Sequence, residues 1–117
     1  MNEQLSAVVR KLVENTNAGL LRWKRIDPRA YHATVNDTLI SLSADWRLDP
    51  DGENADARCY WFRVYDPSGG MIEEEEVTVR EPMYPVLDEL FKSARRSASN
   101  GSAVLDKLLR TLNAQAG

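Results

Sequence analysis

The chain holds few side chains suited to covalent or acid–base chemistry: a single histidine, His32, and a single cysteine, Cys59. A nucleophilic site needs Ser, Cys or Thr beside a base that a third group orients, and a metal site draws three or four ligands from His, Cys and carboxylates. His32 falls on the polar side of an alternating segment, so it meets Cys59 only if their two strands are neighbours with matching faces. The expectation is a structural thiol and a surface imidazole, hence no catalytic residue, no metal and no cofactor. Glutamates 73 to 76 alternate between the two faces of a strand and do not converge on an ion, and they read as a solvated sheet edge. The stretch Asp49-Pro50-Asp51-Gly52-Glu53-Asn54 lacks the ligand spacing of a calcium loop, and neither G-x-x-x-x-G-K-[ST] nor G-x-G-x-x-G occurs.

Two groups of residues remain that could bind something. Arg22-Trp23-Lys24-Arg25 concentrates positive charge in an acidic chain, and on a strand Arg22 and Lys24 share the polar face. Together with Arg95 and Arg96 they could hold a phosphate or carboxylate through guanidinium forks, although charges balancing nearby acids would look the same. The second group is aromatic. Three tryptophans are more than a core of this size needs, and Trp61 shares its strand parity with Cys59, Arg63 and Tyr65, the residue types that anchor protein interfaces. A helix laid over that face would make it ordinary core instead. Near the C-terminus, Leu105, Leu108, Leu109 and Leu112 form a stripe that is either core or, if the sheet is already covered, a dimer seam.

The elements that position these groups follow from periodicity. Leu5, Val8, Val9, Leu12 and Val13 define an amphipathic helix that should stop near Asn17-Ala18-Gly19. From Leu20 the period changes to two: a first strand carries Leu21 and Trp23, and a second carries Tyr31, Ala33 and Val35 up to a tight Asn36-Asp37 turn. The return strand puts Ile40, Leu42, Ala44, Trp46 and Leu48 on one face and Ser41, Ser43, Asp45 and Arg47 on the other. Residues 49 to 57 read as an exposed connection, Arg58 to Tyr65 as a strand apolar on both faces, and Asp66-Pro67-Ser68-Gly69-Gly70 as a turn into the glutamate strand. Pro82 and Pro85 suit the opening of a helix through Val86, Leu87, Leu90, Phe91 and Ala94, and Ser102 would cap a last one. The fold class is therefore α+β, a single domain over residues 1–117. It comprises an N-terminal helix, a four- to five-stranded antiparallel meander, and two C-terminal helices packed on one face.

Thr16-x-x-Gly19-x-Leu21-x-Trp23, the Asp66 to Gly69 turn and Leu90-Phe91-x-x-Ala94-Arg95 carry a resemblance over nearly the whole chain. The chain resembles a loose group of small bacterial α+β proteins, mostly uncharacterised, with a helix–meander–helix order. The resemblance implies a bacterial origin and the same order of elements, and it transfers no activity.

Of the 117 residues 43% are hydrophobic and the net charge is −3, enough apolar content for one core and no basic excess for a nucleic-acid or anionic-membrane partner. A lone cysteine, a start without a positively charged leader, and no apolar run of membrane-spanning length point to the cytoplasm. The sequence therefore predicts a non-enzymatic module that binds a protein through Trp61, Arg63 and Tyr65 or through Leu105 and Leu109, with homodimerisation an open alternative. A sensor of an anionic metabolite or nucleotide using Arg22, Lys24, Arg95 and Arg96 is the competing reading. An immunity-type inhibitor that offers Glu73 to Glu76 to a basic toxin site is a third.

Overall fold

The structure, a computed structural model, describes residues 1–47, 57–99 and 101–116. The connection expected at 49 to 57 and the calcium-like stretch within it lie almost wholly outside these residues. The first apolar stripe folds as α1, Glu3–Asn17, started by the Asn2 side chain, whose Oδ1 accepts the Leu5 N–H at 2.7 Å. It stops where expected. Gly19 takes φ +75°, the Leu20 N–H reaches the Asn15 carbonyl at 2.9 Å and the Gly19 N–H reaches that of Thr16 at 3.1 Å, which closes a Schellman cap. Leu5, Val9, Leu12 and Val13 are buried, whereas Val8, on the flank of the stripe, stays 40% exposed.

Five strands follow in one antiparallel meander, ordered β1 (Lys24–Asp27), β2 (Ala30–Val35), β3 (Thr38–Arg47), β4 (Ala57–Tyr65) and β5 (Met71–Val77). Asn36 and Asp37 both have positive φ, 48° and 66°, as a two-residue hairpin turn matched to strand twist requires. The turn into β5 is organised by Asp66, whose Oδ1 accepts the N–H groups of Ser68 and Gly70, each at 2.9 Å. Across β3 and β4 the register pairs Ile40 with Val64, Leu42 with Phe62 and Ala44 with Tyr60. That parity faces α1 and α2 and supplies the core with Tyr31, Ala33 and Val77.

The first strand begins later than its alternation predicts. Leu21 and Trp23 precede β1, because Trp23 turns into the helix layer and is only 4% exposed. Its indole N–H donates to Thr16 Oγ1 at 2.9 Å, that hydroxyl donates to the Leu12 carbonyl at 2.6 Å, and the Trp23 N–H donates to Ser97 Oγ at 3.0 Å. One residue thus ties α1, through its side chain, to α2, through its backbone N–H; α2, Tyr84–Ala98, opens with Pro85 in its first turn and buries Leu87, Leu90, Phe91 and Ala94.

The last helix, α3, Gly101–Ala116, starts one residue before the expected Ser102 cap and takes a different place from α2. Val104, Leu105, Leu108, Leu109 and Leu112 remain between 49% and 59% exposed, so the leucine stripe is not packed on the sheet. The reason is geometric: α1 and α2 already occupy the buried face.

Thr16 offers a clean test of the helix-layer tie. Thr16→Val keeps the shape but leaves the buried Trp23 indole N–H without its Thr16 acceptor, and it should destabilise the fold by about 1–3 kcal/mol. The expected reading is a lower urea midpoint at an unchanged m-value.

Candidate functional site

The register that buries one parity leaves the other on a sheet face that no described helix covers. Lys24, His32, Ser41, Arg63 and Glu74 stand in one row across it. A second row holds Ser43, Trp61 and Glu76, and a third holds Thr34, Leu39, Tyr65 and Met71. Trp61, Arg63 and Tyr65, singled out in sequence, stand together on the open face along β4, beside edge strand β5, all partly exposed. The Arg63 guanidinium carbon lies 5.0 Å from the Trp61 ring centroid while its Nε donates to Glu74 Oε2 at 2.8 Å. Stacking on one side and an ion pair on the other hold the guanidinium in place, so little side-chain entropy remains to be lost on binding.

His32 and Cys59 do not meet. His32 lies opposite Ser41, and Ser41 opposite Arg63, whereas Cys59 lies opposite Asp45. Two strands and four residues separate them, roughly 16 Å at ordinary sheet spacings. Cys59 is buried. Burial also lowers the His32 pKa, against the opposing pull of Asp27. Among the described residues no three His, Cys, Asp or Glu side chains are grouped to hold a metal, and no helix is long and apolar enough to cross a membrane.

Of the four cations grouped in sequence, Arg95 and Arg96 share one cleft and Arg22 shares a second with Arg96, while Lys24 is set apart. Lys24 opens β1 on the open face opposite His32, and Arg25, opposite Tyr31, is the one that points to the helix side. A cleft of about 760 Å³ is lined by Arg25, Lys92, Arg95 and Arg96 with Tyr31, and by no acid. Arg22 lines a neighbouring cleft with Arg96, which also contains Glu89 and Asp106. Sequence reasoning named Arg25 only within the Arg22 to Arg25 stretch and missed Lys92, although Lys92 lies three and four residues before Arg95 and Arg96 on α2, the spacing of neighbours on one helix face.

One further polar cluster sits at the edge of the core. The Tyr60 hydroxyl donates to Asp88, Lys92 Nζ lies 3.0 Å from the other Asp88 oxygen, and Arg58 stacks 5.7 Å above Phe91 with its Nη1 3.4 Å from the Tyr60 hydroxyl. Burial first, and then the bond to Asp88, push the Tyr60 phenol well above its ordinary pKa. A phenol held protonated is a poor base, so this cluster is a fastening between β4 and α2. Leu105 and Leu109 lie elsewhere, on exposed α3.

Compared with known proteins, the chain matches no family model, no curated protein and no solved structure. Its function is read from its own geometry.

Asp88 gives that fastening a pH dependence. Partial burial raises its pKa, but hydrogen bonds from Tyr60 and Lys92, with the Lys92 and Arg58 charges, outweigh burial and leave it below the ordinary value. A depressed carboxylate pKa contributes stability above the unfolded value, near 4, and loses it as pH falls through the folded value. Asp88→Asn should therefore cost about 1–2 kcal/mol at pH 7 and distinctly less at pH 3, read from urea unfolding at both.

Proposed function

We propose that this chain is a bacterial, cytoplasmic, non-enzymatic protein-interaction module that engages its partner with the open sheet face centred on Trp61, Arg63 and Tyr65. The observation that carries the reading is the fixed Arg63 guanidinium between the Trp61 ring and Glu74, on a face that no described helix covers. Exposed aromatic and arginine side chains in this arrangement are what hot spots are made of, whereas an ordinary solvated sheet face is polar throughout. On this face Glu74 and Glu76 of edge strand β5 stand beside Arg63 and Trp61 and make a basic partner surface the better electrostatic match. Inhibition of a toxin with a basic site is the special case of that match.

The test is affinity capture from a lysate of the native host. A Trp61→Ala, Tyr65→Ser variant should fold as the parent does and lose its specific partner by about 30-fold or more. Equal recovery by a folded variant would remove this surface.

A second reading rests on the cationic cleft. Among the described residues the Arg25, Arg95 and Arg96 side chains have no carboxylate partner, and the cleft they share contains no acid. Three guanidiniums so placed suit a phosphate-bearing metabolite or nucleotide, although two of them also complement the C-terminal end of the α2 dipole. A nucleotide and metabolite panel at millimolar concentration should then raise the melting temperature of the parent and not of Arg25→Ala, Arg95→Ala. No shift in the parent would discard it.

A further inference from the structure

Nine of the large hydrophobic side chains that stay exposed fall into two groups, one convex and one concave. The convex group is α3, with Val104, Leu105, Leu108, Leu109 and Leu112 turned to solvent. The concave group lies along α1, where two adjoining hollows of about 450 and 540 Å³ share Gln4, Val8, Leu12 and Val35. They form one continuous groove between α1 and the β2–β3 hairpin. Val8, Leu20, Val35 and Ile72 line it while being 40%, 79%, 39% and 56% exposed. It runs from Asn2 at one end of α1 to Leu20 and Leu21 beyond the other, a length of about 22 Å for a 15-residue helix. The 16 residues of α3 span about 24 Å.

We propose that two copies of this chain exchange α3 reciprocally, each laying its leucine stripe into the α1 groove of the other. The occupant is chosen by length and by area. Half the surface of a helical cylinder about 10 Å across and 24 Å long is roughly 380 Å². In a reciprocal exchange each copy contributes one helix face and one groove, roughly 750 Å², which matches the ~800 Å² per partner of stable interfaces. A simple α3–α3 seam would use one helix face per copy, about half of what is needed, and would leave both grooves open. Exchange also closes on itself about a two-fold axis, so it ends at the dimer. It goes beyond the reading of the open sheet face and uses none of Trp61, Arg63 and Tyr65.

The experiment is light scattering on the full chain from 1 to 100 µM, with variants on each side of the contact. Wild type should have twice the monomer mass. Leu108→Glu on α3 and Leu20→Glu in the groove both replace solvent-exposed side chains, so both should fold, as checked by circular dichroism, and each should weaken dimerisation by at least ~30-fold. Mixing the two variants should restore heterodimers in part, because α3 of the Leu20→Glu chain is intact and so is the groove of the Leu108→Glu chain. If Leu20→Glu stays as dimeric as the parent while Leu108→Glu is monomeric, the contact is an α3–α3 seam and exchange is overturned. A monomeric wild type at 100 µM overturns it as well, whether or not hydrogen exchange then finds α3 protected against its own chain. Should Leu20→Glu lose its fold, Val35→Glu probes the same groove from the hairpin side with the same outcomes.

Discussion

The pairing of β3 with β4 decides what the rest of the molecule is. Nine residue pairs fix it, from Leu39 opposite Tyr65 to Arg47 opposite Ala57. Because successive side chains alternate, this single register sends Ile40, Leu42, Tyr60 and Phe62 into the helix layer and Ser43, Trp61, Arg63 and Tyr65 to the other side. A slip of one residue would exchange the two sets, burying an arginine and exposing the core. The hydrophobic gain from Leu42, Tyr60 and Phe62, all fully buried, makes that slip prohibitively unfavourable. Core and candidate interface are thus two sides of one specification.

The helix layer has only two members to spend on one face of a five-stranded sheet, and this shapes every exposed apolar region. Trp23 locks α1 against α2 through Thr16 and Ser97, and Ser93 adds a bond to Asn17 at 2.7 Å. With α1 and α2 so joined, the groove along α1 stays open, α3 exposes its leucine stripe, and no described helix lies over the opposite face. The charges follow the same division. Glutamates gather on edge strand β5, while Arg25, Arg95 and Arg96 gather where β1 meets the end of α2. A chain of small net charge therefore presents two surfaces of opposite sign.

Most of the fold was legible because its signals are local. The α1 stripe, Gly19, the Asn36-Asp37 turn and the Asp66 turn each act within a few residues, and each appears where the sequence places it. What escaped was decided by contacts distant in sequence. Leu21 and Trp23 alternate like strand residues, yet Trp23 leaves the strand for a partner on α1 and another on α2. Lys24 and Arg25 are adjacent and equally basic, and only the register of β1 against Tyr31 and His32 shows that Arg25 joins the cleft. The open face was half legible: strand parity grouped Trp61, Arg63 and Tyr65, but whether a helix would lie over them depended on how far two helices reach. The leucines of α3 illustrate the same point, since a core stripe and a docking stripe have one spacing.

The sequential order of the meander has a consequence for how the chain is made. Each strand pairs with the next one to leave the ribosome, so the sheet can assemble by local hairpins without waiting for distant segments. α1 is the exception, because the helix that holds it in place starts only at Tyr84. At roughly 5–20 residues per second α1 is out for several seconds, its Leu5, Val9, Leu12 and Val13 unshielded, before α2 is synthesised. The Schellman cap at Gly19 and the Asn2 cap shape this helix from within, independently of its late partner. This helix therefore emerges well before the helix that shields it, and its two caps hold its shape over that interval.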